Sequence, residues 1–328
     1  MRVLSHLGHG SAGHDVDPGL PATAVITGAT GFLGGALARR LARGGSRVLG
    51  VVRQPQRAPA EIMCVAGDVL DPGTWERVAE HLPSERRSLV VFHMAGMASV
   101  RGCDEDPRAA VTANLAAVGA VLDACRVLGI RRVVFPSSGL VYQPRRHRPL
   151  TENDVIAPPS IYAATKAAAE RLLEGYAYAF GMSCDVARLS SAYGPRVSSE
   201  SVVGTLLRQA VGCQPLQVRT GRPVRDFLFE EDAVEGLLAL AHRGGAPGLR
   251  VFNLSTGRGT SVRVLALTVA RLLGRPLDFS EVQSTPESQT DRMVLANRRI
   301  RAWTGWRPRH SLASGLRRTL HDLQGTNA

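Results

Sequence analysis

The chain has 328 residues, 44 % hydrophobic and 21 % charged, with 34 Gly and 19 Pro. This profile excludes a wholly disordered chain, a collagen and a coiled coil, and it can support a core without metal or disulfide staples. Forty basic residues against 28 acidic ones leave a net charge of +12, spread along the chain with only short runs such as Arg145-Arg146-His147-Arg148. Such spreading fits a solvated basic surface or a phosphate-bearing substrate better than a nucleic-acid partner.

Residues 1–21 are rich in Gly, His and Asp, lack the apolar stretch of a signal peptide, and read as a flexible tail. The uncharged run from Ala22 to Ala38 is 17 residues, too short and too broken by Gly and Thr for a membrane span. Five cysteines (Cys64, Cys103, Cys125, Cys184, Cys213) include no C-x-x-C pair, so neither a disulfide framework nor a zinc or other metal site is expected. Together these features predict a soluble protein of the cytoplasm.

From residue 22 short apolar strands alternate with helical stretches. Ala24–Ile26 is a strand, and Leu33–Arg43 a helix with Leu33, Leu37 and Leu41 on one face. Strands follow at Arg47–Val52, Met63–Ala66 and Leu89–His93. A long helix is predicted over Ala109–Leu128, then a strand at Arg132–Phe135, a helix over Ile161–Phe180 and a strand at Cys184–Leu189. Near-continuous apolar strands joined by crossover helices predict a Rossmann-like, doubly wound parallel α/β sheet over residues 22–190. Beyond residue 190 the alternation loosens. Val202–Val211, Glu230–His242 and Val262–Leu273 read as helices, and Val251–Leu254 as an isolated strand. Residues 191–328 are therefore expected to form mainly a smaller substrate-binding lobe, interleaved with the core at the carboxyl edge of the sheet.

The first strand runs into Thr27-Gly28-Ala29-Thr30-Gly31-Phe32-Leu33-Gly34 and then a helix. Glycines at that turn let the backbone approach a pyrophosphate, which the helix N-terminus stabilises. This marks Gly28, Thr30, Gly31, Phe32, Leu33 and Gly34 as dinucleotide-binding candidates. The second strand ends Val51-Val52-Arg53, where NAD binders usually carry an acidic residue. An Arg there can pair with a 2′-phosphate, so Arg53 favours NADP(H), with NAD the alternative. Asp68-Val69, ending the third strand, could edge the adenine.

Tyr162-Ala163-Ala164-Thr165-Lys166 puts a phenol and an ammonium four residues apart on one helix face. Lys166 is the only lysine among the 40 basic residues. An ammonium beside a phenol lowers its pKa, so that Tyr162 could exchange a proton with a substrate alcohol or ketone. Upstream, Ser137-Ser138 ends a strand and offers a hydroxyl for the same oxygen.

In order, the motifs are TGATGFLG (27–34), GDV (67–69), HMAG (93–96), SSGLVY (137–142), YAATK (162–166), RLSSAYGP (188–195), RDF (225–227) with Asp232, FNLSTG (252–257) and TGWRP (304–308). Over residues 22 to 323 the chain resembles the extended short-chain dehydrogenase/reductases, in the nucleotide-sugar epimerase/dehydratase/ketoreductase branch. The resemblance implies that Tyr162 is the acid/base, that Lys166 lowers its pKa and holds the cofactor ribose, and that Ser138 polarises the reacting C–O bond. Ser138 rather than Ser137 follows from counting four back from Tyr142. Ala95 of HMAG is then a cofactor contact, and Ser191 and Arg225 are substrate contacts, Arg225 at the nucleotide diphosphate. The resemblance also implies a homodimer through the helices Ala109–Leu128 and Ile161–Phe180.

Three departures narrow the expected activity. Gly139-Leu140 replaces the Asp-Glu pair of the 4,6-dehydratases, which disfavours water elimination. Val52 and Ser191 replace the acidic residue and the Asn usual in 4-epimerases. The family's last diphosphate-binding Arg is absent, with Ser288 near its place and Arg292 as a substitute. The expectation is an NADPH-dependent 4-ketoreductase of a nucleotide-diphospho-4-keto-6-deoxyhexose. The alternatives are an NAD-dependent nucleotide-sugar 4-epimerase, a reductase of a non-sugar carbonyl, and a non-catalytic NADP(H)- or nucleic-acid-binding protein.

Overall fold

A computed structural model describes residues 16–144, 147–218, 220–274, 279–281 and 292–325. Residues 1–15 of the expected tail, Arg145-Arg146 and Ser288 lie outside the described residues. Val16–Pro21 meet the body of the fold. The Asp17 N–H donates to the Gly44 carbonyl, its carboxylate bonds Arg40, and Leu20 packs on the core.

The strands are β1 (Thr23–Thr27), β2 (Arg47–Val52), β3 (Met63–Ala66), β4 (Val90–His93), β5 (Arg132–Ser138), β6 (Ser183–Leu189), β7 (Ser191–Tyr193), β8 (Leu216–Val218), β9 (Val224–Arg225), β10 (Phe227–Phe229), β11 (Gly248–Leu254), β12 (Thr260–Ser261), β13 (Phe279–Glu281) and β14 (Arg292–Met293). The helices are α1 (Phe32–Arg43), α2 (Pro72–Glu80), α3 (Val100–Glu105), α4 (Pro107–Val111), α5 (Ala117–Val127), α6 (Ile161–Phe180), α7 (Val202–Val211), α8 (Glu230–Arg243), α9 (Val262–Leu272), α10 (Arg298–Thr304) and α11 (Leu312–Gly325).

Seven parallel strands form the central sheet in the order β11-β6-β5-β4-β1-β2-β3. Strand alternation feeds two cores. Ala24, Ile26, Val90 and Phe92 pack with Leu37 and Leu41 of α1 and Leu237 and Leu240 of α8. Val25, Leu49, Val91 and Val133 pack with Val118, Val121 and Leu122 of α5 and Leu173 of α6. Both faces are thus covered, which is why these strands read as continuous apolar runs. The strand order reverses between β1 and β4, and their carboxyl ends open the crevice where such sheets bind ligands.

Two expectations need correction. Val251–Leu254 is not isolated; it is the end of β11, the edge strand paired to β6 from Gly248↔Ser183 to Leu254↔Leu189. Its free edge is covered by side chains, with Arg299 donating to the Val251 carbonyl and Glu152 accepting from the Asn253 N–H. The Ala109–Leu128 helix is not uniform; a π turn over Thr112–Ala116 separates α4 from α5. Pro107–Val127 is apolar and long enough to cross a membrane. Its residues Ala117, Val118, Val121, Leu122 and Cys125 nonetheless face the sheet core.

Elements that follow β6 also build a smaller lobe with a core of its own. Its core joins Leu206 and Leu207 of α7, Leu265 and Val269 of α9 and Leu316 and Leu320 of α11 around Tyr193, Phe227 and Phe229. Buried carboxylates fasten the lobe. Asp226 accepts from Thr256 N, Thr256 Oγ1 and Gly257 N at 2.9, 2.6 and 2.9 Å, and burial pushes its pKa up to about 6. Asp232 accepts from the backbone of Arg309 and His310 at 2.9 and 3.0 Å.

Candidate active site

The glycine turn is built for close approach. Gly28 has φ +70°, and a Cβ there would stand 2.7 Å from Ala95 N. A Cβ on Gly34 would stand 2.2 Å from Gly28 O. The turn therefore lies against the loop after β4, and only glycine leaves room. Helix α1 starts at Phe32 with Gly31 as N-cap, no side-chain cap and no acidic residue in its first turn. Its first N–H groups and the positive end of its dipole are left for an anion. The turn residues Thr30, Phe32 and Leu33 are half-buried. These features fit a dinucleotide pyrophosphate.

Other cofactor candidates fall around it. Ala95 N donates to Thr27 Oγ1 (3.2 Å), whose hydroxyl also meets His93 Nδ1 (2.7 Å). Burial and Lys166 push the His93 pKa down to about 3, so the ring is neutral. Val52 is buried in the core, whereas Arg53 beyond it is exposed. Asp68 is exposed and accepts from Leu70 N at 3.0 Å. Val69 is buried, and its carbonyl accepts from Trp75 Nε1 at 2.9 Å.

The catalytic candidates meet at the end of β5. Ser160 caps α6 by accepting from Ala163 N (3.3 Å), and Asp104 accepts from Ile161 N (3.2 Å). These contacts fix the helix start, and so Tyr162, whose phenol hydrogen-bonds Ser138. Ser138 Oγ also accepts the Leu140 N–H at 3.1 Å. The neighbouring Ser137 serves elsewhere, donating to Glu170 at 2.5 Å. Lys166, one turn below Tyr162, is 8 % exposed; its ammonium donates to Pro136 O (3.0 Å) and lies 4.6 Å from the Phe135 ring centre.

The electrostatics depart from the sequence expectation. Burial pushes the Tyr162 phenol above its ordinary value, against the lowering effect of Ser138. Lys166 does not lower it here, because the ammonium is turned to the β5 backbone. Desolvation brings Lys166 itself down to about 8.

Two further groups escaped the sequence reading. Asn114, buried in the π turn, accepts from Met97 N (2.7 Å) and donates to Met97 O (3.0 Å) and Thr165 Oγ1 (3.2 Å). One amide thus ties the loop after β4 to α6 beside Lys166, and π turns often mark functional sites. Its signal was a lone Asn inside an apolar helix. Glu170, four residues after Lys166, ion-pairs with Arg188 at 2.5 Å, and Arg188 also donates to Tyr142 OH at 2.9 Å. A carboxylate at i+4 from the lone lysine was the visible clue.

The substrate candidates lie on the lobe side. Ser191 is exposed at the start of β7, its N–H on Asp226 O at 2.9 Å. Arg225 and Arg292 occupy the adjacent parallel strands β9 and β14, with Arg292 opposite Val224 and Met293 opposite Arg225. Arg292 Nε is buried without a protein partner, as expected of a group that meets a ligand anion. A separate cavity of about 850 Å³ runs beside β11, lined by Glu152, Arg171, Arg250, Arg299 and Trp303 among others. None of the catalytic or glycine-turn residues lines it.

Comparison with known proteins agrees with this geometry. The profile of the NAD dependent epimerase/dehydratase family matches residues 24–255. UDP-glucose 4-epimerase of Mycolicibacterium smegmatis is 31 % identical over 310 residues, covering 90 % of this chain and 96 % of that protein. UDP-glucuronate 4-epimerase 3 of Arabidopsis thaliana is 27 % identical over 325 residues, covering 90 % and 74 %. The crystal structure of Thermus thermophilus UDP-glucose 4-epimerase in complex with NAD superposes with a TM-score of 0.82 at 25 % identity, over 92 % of this chain and 99 % of that one.

Proposed function

The chain belongs to the NAD dependent epimerase/dehydratase family, and we propose that within it the chain is an NAD-dependent 4-epimerase of a nucleotide sugar. The observation that carries this reading is the 31 % identity to a UDP-glucose 4-epimerase along nearly the whole of both chains. It replaces the NADPH-dependent 4-ketoreductase as the leading reading. That expectation rests on Arg53 and on Val52 and Ser191 in place of an acidic residue and an Asn, whereas both relatives named above are 4-epimerases and the solved structure holds NAD.

The dinucleotide pyrophosphate would lie on the Gly28–Gly34 turn at the N-terminus of α1. A bound nicotinamide supplies a hydride acceptor that can return the hydride. Tyr162 removes the proton of the sugar 4-hydroxyl as the C4 hydride leaves, and gives it back when C4 is reduced from the other face. Ser138 holds the same oxygen and keeps the phenol aligned. General acid/base assistance of this kind contributes roughly 10²–10⁴-fold. Asn114 holds the Met97 loop against α6, which orients the cofactor side of the site. Arg225 and Arg292 hold the diphosphate, fixing the nucleotide while the free 4-keto sugar turns over. Val127, Tyr178 and Phe180, exposed on α5 and α6, provide apolar surface for a homodimer.

The test is direct. The purified protein should carry NAD, identified by mass analysis after acid release, and should invert C4 of a UDP-hexose with no added cofactor. Stoichiometric NADPH oxidation by a nucleotide-4-keto-6-deoxyhexose, without C4 inversion, would restore the ketoreductase.

A further inference from the structure

The cavity of about 850 Å³ beside β11 stands apart from the catalytic cleft and has room for a small ring. It opens where α6, α10 and the loop carrying Glu152 meet the edge strand of the sheet. Most of its charged lining is already engaged. Arg188 is forked on Glu170, and Arg250 grips Asp185 through Nε and Nη2. Arg148 and Thr151 hold Asp154, and Arg171 pairs with Glu174 at 2.6 Å on the exposed side. The cavity is therefore polar yet close to electroneutral. Two groups are left for a ligand. The Glu152 side chain is 6 % exposed. Its Oε1 accepts the Asn253 N–H at 2.8 Å. Its Oε2 has no hydrogen-bond donor among the described residues, and the cation facing it, Arg299 Nε, stands 3.9 Å away. A carboxylate oxygen buried in this way calls for a donor. The other group is Trp303, 43 % exposed and braced by Phe252 with ring centres 6.3 Å apart.

We propose that this cavity is a second, non-catalytic ligand site, and that its ligand is an uncharged pyranose. The ring lays its C–H face on Trp303 and donates one hydroxyl to Glu152 Oε2. The lining decides against other chemistries. A cationic amine would meet Glu152 but also four guanidinium groups, those of Arg171, Arg188, Arg250 and Arg299. An anion would lie beside the Glu152 carboxylate while the buried guanidinium groups are already committed. A wholly apolar ligand would leave Glu152 Oε2 without a donor and cover it. Sugar hydroxyls both donate and accept, which suits a wall built from carboxylate and guanidinium groups. Neither Ser138 nor Tyr162 lines the cavity, so the proposal does not rest on the epimerase reading.

The experiment is a saturation-transfer NMR titration of the full-length protein with methyl β-D-glucopyranoside and methyl β-D-galactopyranoside. A ring of this size should bind with a Kd on the order of millimolar. Glu152→Gln keeps the shape and the bond from Asn253 but puts a donor where the free acceptor stood. Glu152→Gln and Trp303→Ala should each weaken binding about tenfold or more. D-Glucuronate should bind the wild-type protein at least about tenfold more weakly than the glucoside. Melting temperatures report whether the variants fold, and if one does not, the other decides. No binding up to about 100 mM, an affinity unchanged in either folded variant, or glucuronate binding as tightly as the glucoside overturns the inference. None of these readouts uses turnover. The epimerase reading can therefore stand or fall on its own, and both variants should retain C4 inversion.

Discussion

The Arg188–Glu170 pair should behave as one unit, and breaking it from one side should be costly. Both side chains are at most 3 % exposed, and Arg188 reaches Glu170 through Nε and Nη2 at 3.0 and 2.5 Å. Glu170 also accepts from Ser137, and Arg188 also donates to Tyr142. In Arg188→Met the carboxylate stays buried with only Ser137 as a neutral donor. Loss of one partner of a buried pair costs about 3–5 kcal/mol, whereas replacing both with groups of similar volume is often neutral. Arg188→Met should therefore destabilise by about 4 kcal/mol, and adding Glu170→Met should recover at least about half of that loss. The assay is urea denaturation of the four proteins of the cycle at pH 7, followed by tryptophan fluorescence. If the single-variant losses simply add in the double variant, the pair is not coupled and the argument from burial and hydrogen bonding fails.

Other outcomes follow from the same geometry. Tyr162→Phe should lower kcat about 10²–10⁴-fold while the protein stays folded, since only one hydroxyl is removed; full activity in this variant would remove the phenol from the reaction. Gly34→Ala should lose the bound dinucleotide, because its Cβ would meet Gly28 O at 2.2 Å; the ratio of absorbance at 260 and 280 nm of the purified protein checks this. Lys166 has a folded pKa of about 8 against the ordinary 10.5. The unfolded state binds the extra proton, so this group's contribution to stability is full above the unfolded value and is lost as pH falls through about 8. Relative to Lys166→Met, the wild-type protein freed of dinucleotide should gain about 2 kcal/mol between pH 7 and pH 10; parallel stability curves for the two proteins would contradict the desolvation of Lys166.

Much of the fold was legible because the parallel strands are buried on both faces and end in marked turns. Residues 23–27, 47–52 and 63–66 were readable from local pattern alone. The place of β11 was not, since Gly248–Leu254 pairs with a strand some sixty residues earlier and its own sequence says nothing of its neighbour. The π turn was invisible because Thr112–Ala116 contains no Gly or Pro to mark a break. Within the site, strand alternation separated Ser138 from Ser137 as the four-residue count required, one hydroxyl to Tyr162 and the other to Glu170. What the spacing could not give was the direction of a long side chain. Tyr162 and Lys166 do share a helix face, yet the ammonium reaches the Pro136 carbonyl rather than acting on the phenol.

That last difference bears on how the proton moves. An epimerase must use the same phenol as a base in oxidation and as an acid in reduction, so its pKa must lie near that demanded by the substrate hydroxyl. In the protein alone the Tyr162 phenol is held high by burial and is suited only to the acid role. Lys166 is a charge in reserve, desolvated to about 8 and tied by one hydrogen bond to a backbone carbonyl. Any ligand hydroxyl that bonds the ammonium would favour its charged form, and an oxidised nicotinamide would supply a further positive charge. Added positive charge near Tyr162 would pull the phenol down. On the epimerase reading the acid/base pair would be completed only when dinucleotide is bound, which would couple proton removal to the presence of the oxidant. On this argument a pH titration of tyrosinate absorbance should show one phenol shifted downward in the NAD-bound protein and none in the stripped protein, and the shifted phenol should vanish in Tyr162→Phe. A tyrosinate titrating equally in both forms would mean that Lys166 serves the fold alone.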